Sequence, residues 1–266
     1  MKISPHKQNT LCLLLGILLI TNTSTAQSSP KVTYLYNSGW LIETVNEIIL
    51  IDYVPTEKLM LDSILFTKLQ QAEVVKKKAY VLITHEHNDH FYEPLLKWRH
   101  KIKNLTIILG WDYETNDKSI LKVFGRNILK AGSLKITSHP STDVGSGFLI
   151  NADDLAIYHA GDHAVWSDEL MEKFTDELTF IKNSTKQVDM AFIPIARGKL
   201  GACKVMESIT KGNMIALQIL NPKALFPMHL QCDDLTPYHE FAKRVKKEYP
   251  HVATKVPRSY NYEMTP

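Results

Sequence analysis

At 266 residues the chain is long enough for one large domain or two small ones. Its formal net charge of +3 falls to +1 once Lys2 and Lys7 of an N-terminal leader are discounted. A near-neutral chain gives no electrostatic case for binding nucleic acid or an anionic membrane. Only Cys203 and Cys232 lie beyond the leader, so no disulfide framework is expected, although the two are free to pair in an oxidising compartment.

The leader comprises residues 1–26. Lys2 and Lys7 give it a positive start, Leu11 to Ile20 form an unbroken apolar run, and Ser24-Thr25-Ala26 offers small residues for cleavage before Gln27. The run is too short to span a bilayer comfortably. Cys12 sits inside it rather than after it, which argues against a lipid anchor. Residues 27–266 are therefore expected as a single exported domain, periplasmic or secreted, without a stable membrane anchor.

Val32 to Tyr36 alternates as a strand does, and Asn37-Ser38-Gly39 turns it. Trp40–Thr44 and Glu47–Asp52 read as a hairpin about Val45-Asn46. Glu57 to Val75 places Leu61, Ile64, Leu65, Leu69 and Ala72 on one helical face. Ala79–Ile83 is a buried-type strand, Glu93–Lys103 a helix and Leu105–Leu109 a short strand. Residues 112–130 show no clear period. Leu134–Thr137 returns to strand character, and Gly147–Ile150 with Leu155–Tyr158 forms a hairpin. Ser167 is a plausible N-cap for a helix to Lys182. Val188–Ile195 is a strand, Lys204–Leu220 a helix, Ala224–Met228 a strand and Tyr238–Glu248 a last helix. No internal repeat or linker appears, and the pattern is mixed α/β with at least two sheets.

The chemistry concentrates in Thr84-His85-Glu86-His87-Asn88-Asp89-His90, directly after a buried-type strand. Imidazole and carboxylate are the common nitrogen and oxygen ligands of zinc and similar divalent metals. His85 and His87, two apart at a strand end, share a side, and Glu86 between them faces away. Asp89 and His90 follow where the chain turns. One metal cannot easily take all four ligands from so short a loop, whereas two adjacent metals can. Three more candidates, His139, Asp162 and His229, each stand where a strand runs out, the usual location of α/β active sites.

His85-x-His87-x-Asp89-His90 resembles the signature of the metallo-β-lactamase-fold hydrolases. Tyr158-His-Ala-Gly-Asp162 is similar to that family's segment with a bridging aspartate, and Phe226-Pro-Met-His229 to its last histidine segment. Tyr34–Glu43 and Ile49–Asp52 resemble its opening strands. The likeness spans nearly all of the chain beyond the leader. It implies an α/β fold of the αβ/βα four-layer sandwich type, two sheets face to face under outer helices. Carried over by residue, it implies His85, His87 and His139 on one metal, Asp89, His90 and His229 on a second, and Asp162 bridging them. The ions implied are two Zn²⁺, with Mn²⁺ or Fe as alternatives, sharing a hydroxide nucleophile. Asp89 would also orient that hydroxide or accept its proton.

His163 follows the bridging aspartate where the family commonly has a small hydroxylated residue, and is a candidate proton donor to the leaving group. Asp52 is a candidate acceptor orienting a ligand histidine, while His159 reads as core. Asn37 stands where relatives often carry histidine. Arg197 reads first as a surface side chain and second as a contact for an anionic substrate.

The resulting expectation is an exported dinuclear hydrolase acting on a small ester or lactone, amide or phosphodiester. Its nearest branch resembles the ascorbate-phosphate lactonase-like hydrolases. A true β-lactamase fits the leader, but Asp162 stands where penicillin-cleaving members usually lack the carboxylate. A mononuclear iron oxygenase would leave ligands idle, and the full ligand set argues against a non-catalytic binding scaffold.

Overall fold

A computed structural model describes Met1 and residues 29–56, 61–196, 205–259 and 262–266. The leader, the start of the expected helix at Glu57, Arg197 and Cys203 lie outside the described residues. Cys232 is disulfide-bonded.

Two seven-stranded sheets form the centre. The first contains β1 (Lys31–Tyr36), β2 (Gly39–Glu43), β3 (Glu47–Ile51), β4 (Lys78–Ile83), β5 (Leu105–Leu109), β6 (Ile120–Lys122) and β14 (Tyr262–Met264). The second contains β7 (Asn127–Ala131), β8 (Leu134–Pro140), β9 (Ser146–Ala152), β10 (Leu155–His159), β11 (Met190–Pro194), β12 (Ala224–Met228) and β13 (Ala253–Thr254). Their orders are β14-β1-β2-β3-β4-β5-β6 and β13-β12-β11-β10-β9-β8-β7. Strands β3 to β6 run parallel, as do β10 to β13, while the remaining pairs are antiparallel.

The period-2 geometry of strands explains the layers. On β3, Ile49 and Ile51 face the second sheet, while Ile48 and Leu50 enter a separate outer core. On β4, Tyr80 and Leu82 point inward and Ala79, Val81 and Ile83 outward. A strand covered on both faces must read as an unbroken apolar run, and both do. The helices α1 (Asp62–Gln70) and α2 (Pro94–Trp98) close the outer core with Leu65, Leu69, Leu95 and Leu96. Across the molecule, α3 (Met171–Asn183), α4 (Glu207–Leu220) and α5 (Thr236–Glu248) supply Phe174, Leu178, Leu217 and Phe241 to the larger core. The fold is an αβ/βα sandwich. Trp40 ties its inner layers together, its ring centroid 5.0 Å from that of Phe192 and 5.7 Å from that of Phe226. Burial of one such ring stabilises by roughly 2–3 kcal/mol.

Several boundaries differ from the sequence expectations. α2 stops at Trp98, five residues before Lys103, because residues 99–103 close in turns. Ser167 makes no side-chain cap; a single 3₁₀ turn, Asp168–Leu170, leads into α3 instead. The unread stretch holds β6 and β7, both outer strands of their sheets, and β7 leaves little apolar surface to bury. The late strand β14 pairs antiparallel with β1, a partnership 230 residues apart that no local period signals. Among the described residues, no helix is long and apolar enough to cross a membrane.

Candidate metal centre

Residues that follow β4, β10 and β12 line one cleft, and Asp52, at the end of β3, is buried beneath it against His90. β4 delivers residues 84–90, whose loop folds back through bonds from the His90 and Phe91 amides to the His87 carbonyl, at 2.9 and 2.8 Å. This return stacks His90 beside His85, with ring centroids 4.0 Å apart, while His87 lies edge-on to His85 at 4.8 Å. β10 ends at His159, and Gly161 then turns the chain at φ +55° to aim Asp162 inward. His229 follows β12 at φ +67°, a left-handed conformation unusual for a side-chain-bearing residue. Its amide is held by the Asn37 carbonyl at 3.1 Å.

The ring nitrogens sort themselves. Thr84 donates its hydroxyl to Asp52 Oδ2 at 2.7 Å, so its oxygen accepts from His85 Nδ1 at 3.0 Å. His90 Nδ1 donates to Asp52 Oδ2 at 2.8 Å, and His229 Nδ1 to the Ala196 carbonyl at 2.8 Å. Each histidine thus gives its Nδ1 proton to oxygen and turns Nε2 toward the cleft. Those three Nε2 atoms and Asp162 Oδ1 are buried with no aligned hydrogen bond. Even so, His90 Nε2 is 3.0 Å and His229 Nε2 3.1 Å from Asp162 Oδ1, and His85 Nε2 is 3.6 Å from Oδ2. Donor atoms this close, aimed past one another, converge on a shared point as metal ligands do. Asp89, His90 and His229 form another convergent group, and His87, Asp143 and Asp162 a third.

Electrostatics support the same reading. Burial alone would raise the Asp89 carboxyl, but the His229 hydrogen bond and the charges of His90 and His229 pull it down to about 2. Burial likewise opposes ionisation of Asp162 and Asp52, yet neighbouring imidazoles hold both below the carboxylate range. Burial would depress His229, but Asp162 and Asp89 lift it to about 9; His90 is lifted by Asp162 and Asp52 against the same penalty. Burial and the neighbouring His90 bring His85 down to about 3. Three ionised carboxylates therefore draw positive charge into this pocket, a demand that a divalent cation satisfies.

Asp52 orients His90, one of the candidate ligands, through the bond to its Nδ1. It also accepts from the Thr84 amide at 2.8 Å, and is itself left-handed at φ +44°. Asp52→Asn should keep the packing yet weaken metal binding roughly 10–100-fold, the usual cost of losing such a partner. Equilibrium dialysis against Zn²⁺ measures it, and an unchanged affinity would remove Asp52 from the site. Asn37 is recruited too, donating from Nδ2 to Asp89 Oδ2 at 3.3 Å.

Two expected residues stand elsewhere. His139 is fully buried, but its Nδ1 donates to the Pro140 carbonyl at 2.9 Å and its Nε2 accepts from the Tyr158 hydroxyl at 3.1 Å. With both nitrogens engaged, it joins none of the convergent groups. His163 is not at the cleft either. The turn that points Asp162 inward sends its neighbour into the core, where His163 Nε2 donates to the Phe174 carbonyl at 3.1 Å and the ring stacks on Phe174. Enclosed by Phe174 and His139 and fully buried, it does not reach the cleft to serve a leaving group; burial and the adjacent His139 also push its pKa well down. His159 is core, as expected, donating from Nε2 to the Ser38 carbonyl at 3.2 Å.

The cleft, about 310 Å³, adds Thr142, Asp143, Trp166 and Leu170 to the ligand candidates. Gln231 donates to Asp89 from its side. Sequence reasoning missed Asp143, Trp166 and Gln231. The one signal for Asp143 was its place in Ser141-Thr-Asp-Val-Gly145, a polar loop after a strand already suspected of reaching the site.

The profile of the β-lactamase superfamily domain matches residues 31–229. A UPF0173 metal-dependent hydrolase of Nanoarchaeum equitans is 28% identical over 214 residues, covering 75% of this chain and 83% of that protein. The metallo hydrolase Igni18 of Ignicoccus hospitalis superposes with a TM-score of 0.58 at 20% identity, over 90% of this chain and 98% of its own. CmlA, a diiron β-hydroxylase from Streptomyces venezuelae, gives 0.59 at 15% identity, over 90% of this chain and 54% of its own. At such identities the two structures speak for the fold alone.

Proposed function

The chain belongs to the β-lactamase superfamily, and on that footing we propose that it is an exported, dinuclear metal-dependent hydrolase of small esters or lactones. The observation carrying the metal site is the set of buried Nε2 atoms of His85, His90 and His229 facing Asp162 Oδ1 without aligned partners. One ion would rest on Asp89, His90 and His229, a second on His85 and His87, with Asp162 shared. Two zincs suit the imidazole-rich part, and manganese or iron are the alternatives. When bound, such ions lower the pKa of coordinated water to near 7 and polarise a carbonyl or phosphoryl oxygen.

The protein's own groups do the rest. Asp89, ionised and fixed by Asn37 and Gln231, would accept a hydrogen bond from water in the cleft and so orient it. Trp166 donates from Nε1 to the Asp162 carbonyl at 2.8 Å, which locks its ring as an apolar wall over the site. With Leu170 and Thr142 it confines the substrate to a small volume. Among the described residues, no lysine, tyrosine or spare histidine lines that cleft. A leaving group that needs little protonation, as in an ester or lactone, suits this arrangement better than an amine. Export rests on the leader pattern, and the proposed partner is a small molecule rather than nucleic acid or membrane.

Elemental analysis of the purified protein, followed by lactone, β-lactam and phosphodiester substrates on the same sample, tests the reading. Near two zinc or manganese ions per chain with lactone turnover is expected. One iron per chain would point to oxygen chemistry instead, and no metal, with none taken up on addition, would end the hydrolase reading.

A further inference from the structure

We propose that Asp143 supplies a metal ligand at the position His139 was expected to fill, making the two metal positions chemically unequal. The inference rests on the dinuclear reading above and deepens it. Asp143 Oδ2 lies 3.7 Å from His87 Nδ1, and one ligand atom each from His87, Asp143 and Asp162 falls within a 4.8 Å span. The independent pointer is buried: His85 Nε2 is solvent-inaccessible, has no hydrogen-bond partner, and aims at Asp162 Oδ2 from 3.6 Å. His87, Asp143 and Asp162 bring one nitrogen and two carboxylates into that span, and Asp162 links it to the buried His85 Nε2.

The loop holding Asp143 is built, not loose. Ser141 Oγ accepts from the Asp143 amide at 3.1 Å, and the Ser141 amide bonds the Gly145 carbonyl at 3.0 Å. Thr142 Oγ1 donates to the Ala164 carbonyl at 2.6 Å and accepts from the Ala164 amide at 2.9 Å, tying the loop to the segment carrying Asp162. Lys173 caps the Ser141 carbonyl at 2.6 Å. His139, with both nitrogens bonded, has nothing left to offer a metal.

The consequence is selectivity. The Asp89, His90, His229 position has a fully buried pair of imidazoles. The Asp143 position is more open, since His87 and Asp143 keep 47% and 41% of their side-chain surface exposed. Swapping imidazole for carboxylate softens the preference for zinc and favours a harder ion such as Mn²⁺ there.

Metal stoichiometry decides it, using wild type, Asp143→Ala, Asp143→His and His139→Gln, with Zn²⁺ and Mn²⁺ titrated separately by calorimetry. Wild type is expected to bind two ions, with the weaker site lost or weakened at least 10-fold in Asp143→Ala. Asp143→His should restore that site with a shifted preference toward Zn²⁺, and His139→Gln should keep both sites. Two undiminished sites in Asp143→Ala would overturn the assignment alone, as would selective loss of one site in a folded His139→Gln protein. No metal bound by wild type would overturn the dinuclear reading and the assignment together. Circular dichroism of Asp143→Ala, altered at an exposed side chain, checks that loss of metal is not loss of fold.

Discussion

Asp162→Ala is expected to lower kcat/KM by at least about 10³-fold and to release bound metal while the chain stays folded. Several kcal/mol of charge stabilisation depend on the ions, and about 4 kcal/mol corresponds to three decades in rate. Asp162 is the one carboxylate that approaches His85, His90 and His229 together, at 3.6, 3.0 and 3.1 Å. On the proposed dinuclear reading, its loss removes the shared ligand and leaves the two metal positions unlinked. The fold should tolerate the change, because the strands that carry these histidines are held by two apolar cores and not by the ion pairs. Once the carboxylate is gone, His90 and His229 lose the larger of the two carboxylate influences that favour their protonation, keeping Asp52 and Asp89 respectively. Metal analysis, steady-state kinetics and near-ultraviolet circular dichroism on one sample settle the matter. Retention of both metal and activity would remove Asp162 from the site.

Gly145→Ala should cost about 3 kcal/mol of stability and displace His85, combining a left-handed penalty of about 1–2 kcal/mol with overpacking of about 1–3 kcal/mol. Gly145 sits at φ +69°, and a Cβ added there would meet His85 Cβ at 2.3 Å and the Thr84 carbonyl oxygen at 2.4 Å. Neither neighbour can yield, since Thr84 is fixed by Asp52 and the Ser146 amide bonds that same carbonyl at 3.1 Å. Gly125 provides the control: it is left-handed at φ +64°, but an added Cβ meets nothing within 4 Å. Gly125→Ala should therefore show only the backbone penalty. Equal urea midpoints for the two variants would mean that the contact on His85 carries no strain.

The same geometry shows why some site residues were readable in the sequence and others were not. The candidate ligands of the loop after β4 were legible because they are packed into one short segment, so the turn cannot avoid setting the rings of His87 and His90 beside that of His85. Asp162 and His229 were legible because a strand end carries its next residue to the mouth of the sheet. That rule says where a backbone arrives and not where a side chain points. His139 arrives as expected, but Tyr158 and the Pro140 carbonyl take both its nitrogens. His163 is one residue past Asp162, and the Gly161 turn gives the cleft to one and the core to the other.

The sequence by itself determined the mixed α/β class, most strands, the cluster of nitrogen and oxygen ligands, and through its likeness the sandwich of two sheets. Those features follow from local period and from spacing over a few residues, which a chain displays before it folds. Only the tertiary structure decided that Asp52 steers His90 across 38 positions, that Asn37 and Gln231 fix Asp89, and that Asp143 stands beside His87. Each is a contact between separate loops, set by left-handed turns at Asn37, Asp52 and His229 and by which hydrogen-bond partner reaches a side chain first. No pattern along one segment encodes that outcome, because it belongs to the packing of two sheets against each other.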